Sequence, residues 1–285
     1  LGIGGSCHIT HEFNRGTSDY WLVLHTQEGK RYLDWDRDIA QTILPNGAGL
    51  ASGPQRLYHD GGKLIYQVEN EVCTIDFVVS DVSPVYPLMH GKDHVALQEM
   101  APSHFEGGCR LKGRLVLDGA EYQINALGYR DHSWGRRKEI LVSHRYITGT
   151  AGADFSFAAA TMVMPYGNVF RLGQIVTPDH IIVADNVDIV VHGNDDGFSH
   201  RGVDVELKFD DGTLQISGKT IQGGMGPTRH VVGFEGVGTF STNTGISGFC
   251  CLETSDNLRD GRKMPQKSSD FAIVEKGLTW RPGKK

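Results

Sequence analysis

Between Leu111 and Ala126 the chain alternates apolar and polar side chains with a period of two, and Asp118-Gly119 interrupts the alternation midway. Leu111, Leu115, Leu117, Ala120, Tyr122, Ile124 and Ala126 fall on one side; Lys112, Arg114, Glu121, Gln123 and Asn125 fall on the other. A period of two belongs to a strand, and Asp-Gly tolerates the positive φ angles of a two-residue turn. The spacing predicts a hairpin with Leu117 opposite Ala120 and Leu115 opposite Tyr122. The pattern recurs where Val203, Val205, Leu207 and Phe209 run into Asp211-Gly212 and continue as Leu214 and Ile216.

Further strand candidates are 21–24, 63–68, 73–79, 144–148, 155–164, 169–176, 187–192, 230–240 and 245–252. No window of about a dozen residues keeps the 3.6-residue period of an amphipathic helix. The expected fold is all-β and antiparallel, as barrels or sandwiches. The 285 residues suffice for two domains. Gly135-Arg136-Arg137-Lys138-Glu139 breaks the apolar alternation and predicts a boundary there, giving domains 1–137 and 138–285. The glycine runs Gly4-Gly5 and Gly223-Gly224-Met225-Gly226 lack the following helix of a phosphate loop and read as turns. The charged stretch after Asp256, with Pro265, Pro282 and an apolar patch at 271–274, reads as a tail that wraps the surface.

A formal charge of −6 argues against a nucleic-acid backbone as partner. No apolar run reaches the roughly 20 residues of a membrane helix. No charged segment leads into an apolar one, so no signal peptide is expected in these residues, although the chain opens on Leu1 and leaves room for a preceding segment. Cys7, Cys73, Cys109, Cys250 and Cys251 are odd in number and lack Cys-x-x-Cys spacing. Free thiols in a reducing, cytoplasmic setting are the expectation. Oligomeric state is not specified by any pattern.

The run Gly128-Tyr129-Arg130-Asp131-His132-Ser133-Trp134-Gly135-Arg136-Arg137 follows the hairpin directly and packs an acid, an imidazole, a hydroxyl, an indole and three guanidiniums into one strand end. A strand built for packing alone needs no such mixture. Carrying the hairpin register outward sets Phe105 opposite His132, Glu106 opposite Asp131, and His104 opposite Ser133. By the same alternation Arg130, His132 and Trp134 continue the apolar face, and polar groups ending such a face are expected to line a cavity, since burying them unpartnered costs several kcal/mol. Opposed carboxylates are destabilising. A bulge at Gly107-Gly108 or Gly128, an intervening arginine, or a shared proton would each relieve the pair. A one-residue slip exchanges the faces, so either Asp131 or His132 points inward. The same residues would also serve simply to satisfy backbone groups at a domain junction.

The stretch His104-Phe105-Glu106, the hairpin and Gly-Tyr-Arg-Asp-His-Ser-Trp-Gly together resemble the signature of a bacterial family of unknown function with two lipocalin-like (calycin) β domains. That family is similar in turn to the carotenoid 1,2-hydratases, whose motif reads Gly-Tyr-x-Asp-His-Asn-Trp-Gly, and more weakly to fungal lipocalin-like cyclases of the Diels–Alderase type. The likeness is strongest over 95–137 and collinear from about residue 2 to 255. It implies two lipocalin-like β-barrel domains packed together around an apolar cavity, and acid–base chemistry on a terpenoid-like or polyketide-like molecule. His132 and Trp134 match the motif residues implicated in protonating a double bond. Ser133 replaces the motif's Asn, and the hydratases' downstream Tyr-x-Asp has no clear counterpart, Asp154 being the nearest acid.

These readings converge on a lyase or isomerase that hydrates, dehydrates or cyclises an apolar alkene or allylic alcohol. His132, Asp131 or Glu106 would supply the proton, and Trp134 would face a developing cation, worth roughly 0.5–2 kcal/mol. Tyr129 would orient water or a hydroxyl, and Arg130 or Arg137 would hold a carboxylate. His104, Phe105 and His144 are further candidates for lining the substrate. General acid–base groups contribute about 10²- to 10⁴-fold, so His132→Ala is expected to cost at least about 10²-fold. No nucleotide fingerprint occurs, and no cofactor is expected. The rival is a non-catalytic carrier of a lipophilic ligand. No metal is expected: His8, His11 and Glu12 form no ligand signature, and His90 and His94 sit near Pro84 and Pro87 rather than on a helix. Ser133 lacks the Gly-x-Ser-x-Gly elbow of a nucleophile.

Overall fold

A computed structural model describes residues 2–26, 31–71, 73–88, 103–135, 142–164, 169–195, 199–227, 231–257 and 278–281. A first sheet joins β1 (Ile3–Glu12), β2 (Thr17–Thr26) and β3 (Arg31–Ala40) in that order. A second contains β4 (Thr42–Ile43), β5 (Gly49–Ser52), β6 (Gln55–Asp60), β7 (Lys63–Glu69), β8 (Cys73–Asp81), β9 (Tyr86–Pro87), β10 (Ser103–Leu117) and β11 (Ala120–Trp134). Its strand order is β11-β10-β8-β7-β6-β5-β4, with β9 paired to the outer part of β10. The expected hairpin is β10–β11, and Asp118 (φ 51°) and Gly119 (φ 77°) turn it with the two positive angles that Asp-Gly accommodates.

The third sheet contains β12 (Ser143–Gly152), β13 (Phe155–Val163), β14 (Val169–Val176), β15 (Ile181–Val183), β16 (Asn186–Gly193), β17 (His200–Phe209), β18 (Gly212–Pro227), β19 (Val231–Thr242), β20 (Ser247–Asn257) and β21 (Leu278–Arg281). The order is β15-β14-β13-β12-β20-β19-β18-β17-β16-β21, antiparallel except for the parallel β16–β21 pair. Among the described residues no helix is long and apolar enough to cross a membrane. The all-β expectation is met.

The chain forms two compact units, Leu1–Asp81 with Cys109–Leu127, and Val82–Gly108 with Gly128–Lys285. Strands β10 and β11 therefore contribute residues to both. The boundary expected at 137/138, with Arg136 and Arg137, lies outside the described residues, as do His90, His94 and residues 258–277. In the first unit, Cys73, Ile75, Phe77 and Val79 of β8 alternate into a core with Tyr66, Val68, Leu115 and Leu117. Each fully buried Val, Leu, Ile or Phe side chain contributes roughly 1.5–3 kcal/mol.

In the second unit both faces of the third sheet carry apolar clusters. Ile147, Phe157, Ala159, Val205, Leu207, Ile216 and Leu252 pack on one face. Ala158, Ala160, Met162, Leu172 and Val176 gather with Tyr86 and Leu88 in a separate cluster. Strand β13 is accordingly buried at every position, which explains why only Ser156 and Thr161 interrupt its apolar sequence.

Gly4-Gly5 and Gly223-Gly224, expected as turns, are strand residues of β1 and β18. A close approach explains Gly223: an added Cβ would meet the Phe234 ring at 2.5 Å.

Candidate active site in the second unit

Glu106 of β10 is fully buried, an unusual position for a carboxylate. Three elements of the second unit surround it. Tyr86 on β9 is its Cα partner across the strand pair. Tyr129 on β11 donates its hydroxyl to Glu106 Oε2 at 3.1 Å, and Tyr146 on β12 donates to Oε1. The Tyr86 and Tyr129 hydroxyls are also bonded to each other. Since the one proton of Tyr129 points at Glu106, Tyr86 is left to donate into Tyr129, and a short donor chain ends on the carboxylate. Gln174 donates to the Pro87 carbonyl at 3.3 Å and fixes β9 against β14.

His104 lies one strand period before Glu106, on the same face. Its Nε2 is 3.1 Å from Glu106 Oε1 and 3.6 Å from Asp131 Oδ2. Burial works against the imidazolium, but the two carboxylates more than offset it and raise the His104 pKa to about 10. The phenols of Tyr86, Tyr129 and Tyr146 are pushed well above their ordinary range, first by burial and then by the charge of Glu106. At neutral pH each phenol keeps its proton and can pass one on only while another arrives. Exposure is graded along the cluster: the side chains of Asp131, His104 and Glu106 are 54%, 13% and 0% accessible.

Donor atoms of His104, Glu106 and Asp131 lie within 4.8 Å of one another, a set of the kind that holds a divalent cation. With the imidazole protonated, a proton supplies the positive charge between the carboxylates. His11, by contrast, uses both ring nitrogens on Ala51 O at 2.9 Å and Gln41 Nε2 at 3.0 Å.

The sheet face bearing Tyr146 changes character across the strands. Register aligns Leu172, Ala160, Tyr146, Glu253 and Glu235 in one row and Phe170, Met162, His144, Ser255 and Gly233 in the next. Strands β14 and β13 supply apolar side chains, β20 and β19 acids, and Tyr146 stands at the border. His144 Nε2 is 3.0 Å from Glu253 Oε1, and Nδ1 bonds the Ser255 hydroxyl. Cys251 beside them has its thiol pushed well above the ordinary range, by burial and then by the charges of Glu235 and Glu253.

Candidates read from the sequence divide between two faces of the β10–β11 strand ends. His104, Glu106, Tyr129 and Asp131 come together, and the His104 imidazole reaches both carboxylates. Phe105, His132 and Trp134 form a separate aromatic group: Trp134 stacks on Phe105 with centroids 5.3 Å apart and 9° between planes, and His132 meets it edge-on at 5.0 Å. His132 is exposed and the Trp134 side of the stack is 51% accessible. Alternation assigns the half-buried Arg130 to that second face. His144 sits on the Tyr146 face. Tyr86, Tyr146, Glu253 and Glu235 were not foreseen. Tyr146 did carry a signal, standing two residues after His144 in a recognised strand; Tyr86 sits in a Pro-flanked segment with no periodicity.

Two solved structures share the fold over most of their length. A candidate AttH protein from Nitrosomonas europaea matches with a TM-score of 0.67 and 12% identity, over 88% of this chain and 86% of that one. Kievitone hydratase from Nectria haematococca matches with a TM-score of 0.68 and 12% identity, over 90% and 84%. The fold is thus lipocalin-like and all-β, shared with a hydratase. No curated protein matches. The family described as Domain of unknown function (DUF7064) matches residues 1–258, and the chain belongs to that family.

Proposed function

We propose that this DUF7064 chain is an acid–base lyase or isomerase, a hydratase, dehydratase or cyclase, acting on an apolar terpenoid-like or polyketide-like molecule. The observation that carries the reading is the buried Glu106 carboxylate, fed by the Tyr129 and Tyr146 phenols and paired with the His104 imidazole, at the edge of an apolar cluster. Packing alone does not require a carboxylate there. Such a group costs several kcal/mol to bury and needs every one of these partners.

The relay works by simultaneous transfers. As a substrate proton reaches the Tyr146 oxygen, the phenolic proton of Tyr146 passes to Glu106 Oε1; the reverse sequence delivers a proton. The phenol never has to exist as a free phenolate, which its environment disfavours. His104 keeps its proton and holds Glu106 in place by charge, and the solvent-facing Asp131 connects the cluster to water. The half-exposed Trp134, stacked on Phe105 with His132 at its edge, lies on the opposite strand face and takes no part in this relay. Similarity in fold to a structure named as a hydratase supports the same reaction class.

Incubation with tertiary allylic alcohols such as linalool and with prenyl alkenes, followed by gas chromatography and mass spectrometry, tests the reading. Conversion that falls by about 10²-fold or more in Tyr146→Phe supports it. Retention of unaltered compound by the folded protein, with no conversion, supports a lipophilic carrier instead.

A further inference from the structure

An elimination of water needs two proton-transfer groups, one for the departing hydroxyl and one for the carbon-bound proton. The Tyr146–Glu106 relay is set as an acceptor, because in its resting arrangement the phenol already donates to the carboxylate. The donor should then be a second acid, within reach of the same substrate and better exposed than Glu106.

We infer that Glu253 is that general acid, with Glu235 as the carboxylate sharing its proton and His144 as the group that orients it; the inference rests on the reading above. Glu253 and Tyr146 are direct Cα partners between β20 and β12. Directly opposed side chains stand with Cβ atoms about 4.5–5.5 Å apart on one face. Glu253 and Glu235 are likewise direct partners between β20 and β19. Two carboxylates so placed repel when both are ionised, and a proton carried by Glu253 is one arrangement that relieves the pair. The Glu253 side chain is 32% accessible, against 0% for Glu106. His144, with Nδ1 on Ser255 and Nε2 at 3.0 Å from Glu253 Oε1, fixes the carboxyl rotamer. The acidic row also explains the class of intermediate: a site carrying Glu106, Asp131, Glu235 and Glu253 favours positive charge developing on carbon and disfavours anionic substrates such as acyl thioesters of nucleotide carriers.

In the forward step Glu253 gives its proton to the substrate hydroxyl, the C–O bond breaks with its electron pair on departing water, and a carbocation remains. The Tyr146 oxygen then takes a proton from the adjacent carbon while its own proton moves to Glu106, and the C–H pair becomes the new π bond. Glu253 has lost one proton and Glu106 gained one; exchange with solvent resets both.

The test uses the full chain and linalool in ¹⁸O-labelled water, following both alkene formation and label entry into unreacted alcohol. Ionisation without elimination gives label entry alone. Glu253→Gln is expected to lose both signals by about 10²-fold or more, whereas Tyr146→Phe loses alkene formation and keeps label entry. Formate added to Glu253→Ala is expected to restore both signals at least about tenfold, which a merely structural glutamate would not allow. Near wild-type values in Glu253→Gln, or a folded Glu253→Ala that formate leaves unchanged, overturn the assignment of Glu253 while the Tyr146 result still stands for the relay. Wild-type protein that neither eliminates water nor admits label overturns both.

Discussion

Tyr146 and Glu106 are 40 residues apart in sequence, yet the phenol of one donates directly to the carboxylate of the other, and both belong to the second unit. The bond joins a strand of the third sheet to β10 of the second. It also sets a buried charge beside an apolar cluster that includes Tyr86, Ala160 and Leu172. Chemistry that moves protons onto or off a water-averse molecule needs that adjacency.

Removing the phenol oxygen interrupts the relay without removing the ring. Tyr146→Phe is expected to lower turnover of an alkene or allylic alcohol by about 10²-fold or more, with circular dichroism unchanged. Tyr86→Phe removes only the far end of the donor chain and is expected to cost less than Tyr146→Phe. Steady-state rates of the two variants, measured side by side, check the ordering.

Because His104 gains a partner on folding, its folded pKa of about 10 lies above its ordinary value of 6.5. The native state therefore holds a proton that the unfolded chain releases, and stability falls as pH rises through that interval. The contribution is complete below pH about 6.5 and lost by pH about 10. Urea unfolding of wild type and His104→Asn at pH 6, 8 and 10 should show a gap that narrows as pH rises. A gap that stays constant or widens would contradict the paired imidazolium.

Gly108 stands where β10 leaves β9 and joins β8. A Cβ placed there would meet Thr150 Oγ1 at 2.5 Å and Ser156 Oγ at 2.8 Å, both on fully buried residues. Gly108→Ala is expected to destabilise the fold by about 1–3 kcal/mol, read from the urea midpoint. Gly119→Ala, at φ 77° in an open turn, meets nothing within 4 Å and tests backbone strain alone.

His132 provides the sharpest contrast with the motif-based expectation. It contacts Trp134 on the exposed aromatic face, whereas its neighbour Asp131 meets His104. His132→Ala is accordingly expected to keep turnover within about tenfold, well short of the 10²- to 10⁴-fold typical of a general acid or base. A larger loss in a folded variant would return proton donation to the imidazole of the motif.

Local patterning carried much of this. Period-two alternation around Asp118-Gly119 and Asp211-Gly212 was enough to establish antiparallel strands, because a strand's side-chain period and a turn's backbone angles are local properties. The same register, extended outward, paired Glu106 with Asp131, although only the structure shows His104 between them. The pairing of Tyr146 with Glu253 was out of reach for a different reason: β12 pairs with β20 across roughly 110 residues, a distance over which alternation has no memory. The glycine runs misled because a residue chosen to let an aromatic ring approach, as at Gly223, looks like one chosen to turn the chain.

The two units are interwoven in the primary order: the polypeptide enters the second at Val82, leaves it at Cys109 and returns at Gly128. No single scission can release either unit whole. Cleavage at 137/138 would deliver Glu106 and Tyr129 to one fragment and Tyr146 and Glu253 to the other, and neither alone could assemble the proton wire. Recombination between relatives faces the same rule, so crossover points that preserve activity should avoid the interval between β9 and β12.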